Sequence, residues 1–247
     1  TIFRQRRYKV GNPHRCLLFL FLLREANYSF KRLKFPLPAE TQHKKIVVVI
    51  PVYNEGPVIR QVITSLLKIV TTIIVVDDGS AIPVIKQLHD LPVVLLQHKV
   101  NLGQGAAIQT GLTYARKIQA DIVITFDADG QHNEEDINSL LAPIINNEAD
   151  VVLGSRFLHN SVSIVPFTKK FILQVARIIN FLFTGILLTD AHNGLRALNR
   201  KALEKTNLTE NRMAHASEFL FEIKSHKLRW KEIPVHIRYT DYSIQKG

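Results

Sequence analysis

The sequence predicts an α/β protein whose doubly wound, mostly parallel sheet is covered by helices on both faces. Two observations predict it. Between residues 46 and 153, short apolar runs alternate with longer amphipathic ones, the pattern of consecutive βαβ units. Each of the polar motifs in this region also follows one of the apolar runs, and ligands of such sheets sit beyond the carboxyl ends of the strands.

The elements follow in order. The uninterrupted Ile/Val run 46–50 is the first strand, closed by Pro51; further apolar runs give strands at 73–76, 93–96, 122–126 and 151–153. The intervening segments 58–69, 82–88, 105–118 and 134–145 carry apolar residues at helical spacing. Beyond 153 the pattern changes. Residues 167–188 are rich in Phe, Ile and Leu, with Lys169, Lys170 and Arg177 at or near one end. The uncharged part, 178–189, is too short to span a bilayer and suits an interfacial or buried helix. A loop at 190–194, a helix near 214–224 and a strand near 232–238 complete the reading.

Charge divides the chain. Of 247 residues, positions 1–45 hold eleven of the 32 Lys and Arg but only two of the 21 Asp and Glu. Most of the net charge of +11 therefore belongs to a basic arm, residues 1–44, read as poorly ordered, and the domain 45–247 is close to neutral. That distribution argues against a nucleic-acid partner, since no basic face interleaved with aromatics appears in the domain. The apolar stretch 16–23 in the arm lacks a cleavage pattern and reads as a peripheral segment rather than a signal. Cys16 is the single cysteine, so no intrachain disulfide forms.

The chemistry concentrates after the run 122–126. Asp127 and Asp129 are two apart and, in an extended chain, point the same way, with Gln131 behind them. Two like charges at about 4 Å repel by about 4 kcal/mol at an effective dielectric of 20, a cost that a cation between them removes. Hard oxygen ligands suit Mg²⁺ or Mn²⁺, which keep positions open for substrate phosphates. The pair therefore reads as the metal site of an enzyme handling a diphosphate. Other polar clusters follow other strands: Pro51, Tyr53, Asn54 and Glu55; Asp77 and Asp78; Asn101, Gly103 and Gly105 at a helix start; and Arg156.

These motifs, in this order and spacing, resemble the family 2 glycosyltransferases of GT-A (Rossmann-like) fold, and within them the dolichyl- and undecaprenyl-phosphate sugar transferases. The resemblance runs from about residue 45 to the C-terminus. It implies an inverting, metal-dependent transfer of a sugar from a UDP- or GDP-linked donor to a polyprenyl phosphate, by a catalytic domain lying peripherally on the cytoplasmic face of the membrane. It implies that Pro51, Tyr53, Asn54 and Glu55 hold base and ribose, that Asp78 pairs with the nucleobase edge, and that the turn at Asn101, Gly103 and Gly105 handles phosphate. Asp129 is then the principal metal ligand, with Asp127 bridging metal and donor and Gln131 assisting. Asn193 and Arg196 fall in a segment where the family has a Ser-Gly-Phe-Arg-like sequence, with Asn193 and Leu195 as departures. Arg156, Lys169 and Lys170 offer cations to an anionic acceptor. A saccharide hydroxyl as acceptor would need a base instead, for which Glu218, close to His215 on one helical face, or Asp190 is the candidate. Two other activities stay open on the sequence: sugar nucleotidyl transfer, and binding of nucleotide-sugars without turnover.

Overall fold

The computed structural model describes residues 41, 43–158, 181, 185–186, 188–190, 193–211 and 214–238. The basic arm and nearly all of the expected helix at 167–188, with Lys169, Lys170 and Arg177, lie outside the described residues, as do His192 and residues 239–247.

Among the described residues the strands are β1 Ile46–Val52, β2 Thr72–Asp77, β3 Val94–Gln97, β4 Ile122–Thr125, β5 Val151–Ser155, β6 Arg196–Asn199 and β7 Trp230–Pro234. They form one sheet in the order β3-β2-β1-β4-β6-β5-β7. All pairings are parallel except those of β6, which runs antiparallel to both β4 and β5. The helices are α1 Val58–Leu66, α2 Ile85–Leu88, α3 Gln104–Lys117, α4 Asp136–Ile145, α5 Arg200–Lys205 and α6 His215–Ser225. No helix among the described residues is long and apolar enough to cross a membrane.

Alternate residues of a strand face opposite ways, and here both faces are apolar because both are covered. Val48 and Ile50 of β1 join the core made with Ile59 and Ile63 of α1 and Ile137, Leu140 and Leu141 of α4. Val47 and Val49 face the opposite core, built with Ala107, Ile108 and Leu112 of α3 and Phe219 and Leu220 of α6. The doubly wound reading is therefore met, with one antiparallel strand inserted.

That insertion, β6 with the short α5 behind it, was not expected. Arg196-Ala-Leu-Asn199 is short and carries a charge at its head, so it has no strand signature of its own. Its context makes it a strand: Ala197 pairs with Ile124 on one side and Val152 on the other. Asn199 then ends the strand and caps α5, its Oδ1 accepting from the Ala202 N–H (2.9 Å). The expected helix at 82–88 shrinks to four residues because Asp77 captures the preceding turn. Its Oδ1 accepts from the Ser80 N–H (2.9 Å) and its Oδ2 from the Val84 N–H (3.0 Å). The last strand begins earlier than expected, at Trp230, in register with Val151, and leaves the ladder after Pro234.

The end of the sheet far from the strands' carboxyl termini is stitched by buried Asp150, just before β5. Its carboxylate accepts from Asn199 Nδ2 (3.0 Å), Lys201 Nζ (3.0 Å), the Arg229 N–H (2.9 Å) and Arg229 Nη2 (3.1 Å). One side chain thus ties together the neighbourhoods of β5, β6 and β7.

Candidate active site

The strand order reverses direction between β1 and β4: β2 and β3 build outward on one side, and the chain then crosses by α3 to start the other. Such a switch point leaves a crevice at the carboxyl ends of the strands. A cleft of about 530 Å³ lies there. It brings together Pro51, Tyr53, Glu55, Asp78, Asn101, Gly103, Asp127 and Asp129, with Gln104, Gly194, Arg196 and His215 added from other elements.

Asp127 follows the last buried residues of β4 and is held from two sides. Gln104 Nε2 donates to its Oδ1 (3.1 Å) and His132 Nε2 to its Oδ2 (3.0 Å). Burial pushes the Asp127 carboxyl up, but the His132 hydrogen bond and the charges of His132, Arg196 and His215 outweigh it and hold the carboxyl below its usual range. Asp129 is shifted the other way: burial first, and then the Asp127 charge, raise it, against the Gln131 N–H that donates to its Oδ1 (2.9 Å). One carboxylate is therefore secured by hydrogen bonds while its neighbour carries unbalanced negative charge. Oxygen donors in that state fit a hard divalent cation. Among the described residues no group of three or more His, Cys, Asp and Glu forms a metal cage.

Gly194 explains why its loop carries no side chain. A Cβ there would lie 2.2 Å from Asp127 Oδ2 and 2.6 Å from Oδ1. Since Gln104 and His132 pin that carboxylate, Gly194→Ala is expected to shift it and to lower transfer by about 10²-fold, the scale of an ångström-level misplacement, with little change in melting temperature. Near-normal kcat/KM in that variant would show that the position of Asp127 is not critical.

Arg196 is buried at the head of β6. Its guanidinium stacks 4.6 Å above the Phe219 ring, and its Nε donates to the Asn193 carbonyl (3.1 Å). Burial lowers it to about 10 against the charges of Asp127 and Asp190, so it stays a cation at neutral pH. Asn193 Oδ1 in turn accepts from the Leu195 N–H (2.9 Å), which shapes the turn. The sequence drew attention to this segment through its resemblance alone, because Arg196 heads a strand that has no signature of its own. Of the two residues that orient Asp127, Gln104 was hidden inside a motif read for its other residues, and His132 falls just beyond the acidic motif 127–131.

The remaining sequence-derived candidates are placed differently. Asn54 sits beside the cleft with φ 51°, its Oδ1 accepting from the Ala81 N–H (2.8 Å) and its own N–H donating to Ser80 Oγ (2.9 Å). Gln131 lies behind Asp129, its carbonyl accepting from the Arg238 N–H (2.8 Å), and is not on the cleft wall. The glycine turn is occupied by protein contacts: the Leu102 and Gly103 amides donate to Asp78 (3.0 and 2.7 Å), and the Gly105 amide to the Asn211 carbonyl (2.9 Å). A Cβ at Gly105 would lie 2.0 Å from the Glu210 carbonyl oxygen, so that glycine admits the neighbouring backbone. Arg156 forms a two-pronged pair with buried Asp190 (2.6 and 2.8 Å) and is not among the residues that line the cleft.

Glu218 is likewise engaged. Its Oε1 accepts from the Thr209 N–H (2.8 Å) and hydroxyl (2.6 Å), and its Oε2 from the Glu210 N–H (2.9 Å). Glu218→Gln is therefore expected to cost about 1–2 kcal/mol of stability through the lost acceptor and to lower kcat/KM by less than about 10-fold. A general base in the reaction would cost about 10²–10⁴-fold, and that result would return Glu218 to the chemistry.

Comparison with known proteins decides the family. Residues 47–206 match the model of Glycosyl transferase family 2. The chain belongs to glycosyl transferase family 2. The UDP-N-acetylglucosamine–dolichyl-phosphate N-acetylglucosaminyltransferase of Methanococcus voltae is 36% identical to it over 225 residues, 83% of this chain and 90% of the relative. The polyprenol monophosphomannose synthase of Mycolicibacterium smegmatis is 27% identical over 199 residues, 77% and 72% of the two chains. Among solved structures, glucosyl-3-phosphoglycerate synthase from Mycobacterium tuberculosis, in complex with Mn²⁺, UDP and glucosyl-3-phosphoglycerate, superposes with a TM-score of 0.60 at 18% identity. The match covers 87% of this chain and 80% of that one, and it shows the shared GT-A fold. In this family 2 chain, the cleft at the β1/β4 switch point is the feature in which the fold and the acidic pair coincide.

Proposed function

We propose that the protein transfers a sugar from a nucleotide-sugar to a polyprenyl phosphate at a membrane surface, with inversion at the anomeric carbon and with Mg²⁺ or Mn²⁺. Pro51, Tyr53, Glu55, Asp78 and Asn101 form the wall for the nucleoside, and Asp129 with Asp127 would hold the cation, which would supply positive charge to the donor's diphosphate. The cation, when bound, neutralises charge that grows on the departing nucleoside diphosphate. Arg196 adds a fixed, desolvated positive charge to the same wall, where charge stabilisation is strongest. Gln104 and His132 keep Asp127 oriented throughout.

The observation that supports a phosphate acceptor is the engagement of the described carboxylates suited to a base role. Glu218 is spent on the turn at 209–210, and Asp190 on Arg156. A hydroxyl acceptor needs a base, whereas a polyprenyl phosphate is already an anionic nucleophile. The similarity to a dolichyl-phosphate transferase points the same way. The proposed place of action is the inner face of the membrane, with the apolar, basic-ended segment 167–188 supplying peripheral contact. Incubation of the full chain with a panel of nucleotide-sugars, Mn²⁺ and a short-chain polyprenyl phosphate tests the reading. The expected product by mass spectrometry is a glycosyl phosphoryl lipid together with a nucleoside diphosphate. Release of pyrophosphate, or transfer to saccharides alone, would replace it.

A further inference from the structure

The loop that carries the acidic pair is supported by a segment about a hundred residues downstream. Beyond Pro234 the chain leaves the β7 ladder and runs antiparallel to that loop, with His132 opposite Ile237. The Arg238 N–H donates to the Gln131 carbonyl (2.8 Å) and the Asn133 N–H to the His236 carbonyl (3.3 Å), one bond on either side of His132. Val235 and Ile237 are both buried, which seats this strap, residues 235–238, on the molecule.

Asp136, in the first turn of α4, fastens the strap. Its side chain is only 5% exposed, and its two oxygens grip one residue. Oδ2 accepts from the His236 N–H (2.7 Å) and Oδ1 from His236 Nδ1 (2.8 Å). A carboxylate only accepts, so the imidazole carries a proton at Nδ1. The Asp136 N–H in turn donates to the Asn133 carbonyl (3.1 Å), and helix, loop and strap close into a ring. Neither Asp136 nor His236 lines the cleft. The residues they hold do reach the acids: the Gln131 N–H donates to Asp129 Oδ1 (2.9 Å) and His132 Nε2 to Asp127 Oδ2 (3.0 Å).

We infer that Asp136 and His236 are positioning residues for the cation site, acting through the strap on Gln131 and His132. The inference rests on the reading of Asp127 and Asp129 as cation ligands. The charge of Asp127 acts against that of Asp129, so the pair tends to spread until a cation lies between them. Resistance to spreading has to come from outside the pair, and the donors on Gln131 and His132 supply it only while the loop beneath them is fixed. Groups that orient metal ligands from behind are worth about 10–100-fold in metal affinity or activity.

The test is calorimetric titration of UDP and GDP into the full chain, once with Mn²⁺ and once with a chelator, for the wild type and three variants. His236 is 44% exposed in its side chain, so its truncation opens no cavity in the core. In His236→Ala the Mn²⁺-dependent gain in nucleotide affinity should fall about 10-fold, with affinity in chelator within about 2-fold of the wild type. His236→Asn places an amide nitrogen where Nδ1 stands and should keep the gain to within about 3-fold. Asp136→Ala, which releases both bonds to the strap, should lose about 10-fold or more of it. A pair that served stability alone would lower the melting temperature and leave the Mn²⁺ gain untouched. If Asp136→Ala does not fold, the two His236 variants decide. A full Mn²⁺ gain in His236→Ala, an equal loss with Mn²⁺ and with chelator, or a His236→Asn no better than His236→Ala would overturn the inference and leave the cation site in place. Absence of any Mn²⁺ gain in the wild type would remove the cation reading itself.

Discussion

Asp129→Asn is expected to abolish sugar transfer while leaving the fold at least as stable as before. In the wild-type fold, burial and then the Asp127 charge raise the Asp129 carboxyl, so its ionised form is held at a cost. An Asn keeps the acceptor for the Gln131 N–H and removes the charge. The melting temperature should stay unchanged or rise by up to about 2–4 °C, corresponding to about 1 kcal/mol in a chain of this size. Turnover should fall by about 10³-fold or more, because an amide oxygen is a far poorer cation ligand and stabilisation of the leaving diphosphate by several kcal/mol is at stake. Stability and activity would move in opposite directions, as expected of a site whose strain serves its chemistry. A variant with near-normal kcat would remove Asp129 from the reaction; one that fails to fold would make it a structural residue.

Asp150→Asn is expected to do the reverse. Burial pushes the Asp150 carboxyl up, but hydrogen bonds from the Arg229 side chain and amide, Lys201 and Asn199 outweigh it and hold the carboxyl well below its usual value. Removing a buried charge among such partners costs about 3–5 kcal/mol. Here Arg229 and Lys201 are about half exposed and can rehydrate, so about 2–3 kcal/mol is the better expectation. That corresponds to a drop of about 5–10 °C in melting temperature, with kcat little changed, because Asp150 lies at the end of the sheet opposite the cleft. The pH dependence has a definite sign. A depressed folded-state value means that the stabilisation is fully present above the unfolded carboxyl value of about 3.9 and is lost as pH falls towards the folded value. The gap between wild type and variant should thus be constant above about pH 4–5 and close progressively below it. A gap that widens in acid, or no gap at neutral pH, would contradict the assignment.

What the sequence discloses of this molecule depends on how local each signal is. β1, β2 and β4 are buried on both faces and read as unbroken apolar runs, so they were legible, as were α1, α3 and α4. β6 was not: a four-residue strand headed by Arg196 becomes a strand only through β4 and β5 on either side. The acidic pair was legible because two carboxylates two residues apart share a face whatever the rest of the fold does. What orients the pair was not, since Gln104, His132 and Gly194 come from three separate segments that only folding brings together. Motif order also placed Glu218 and Arg156 among candidates for the chemistry, whereas their side chains are engaged with the 209–210 turn and with Asp190. Spacing shows which residues could meet, and it is silent on which partners reach them first.

The central claim is that the cleft between the ends of β1 and β4 binds a nucleotide diphosphate through a divalent cation held by Asp129 and Asp127. Calorimetric titration of UDP and GDP into the full chain, with Mn²⁺ and then with a chelator, tests it most directly. At least one nucleotide should bind about 10²-fold more tightly with Mn²⁺, and Asp129→Asn should lose that gain. Nucleotide affinity that is the same with chelator as with Mn²⁺, or a full Mn²⁺ effect retained in Asp129→Asn, would contradict the account.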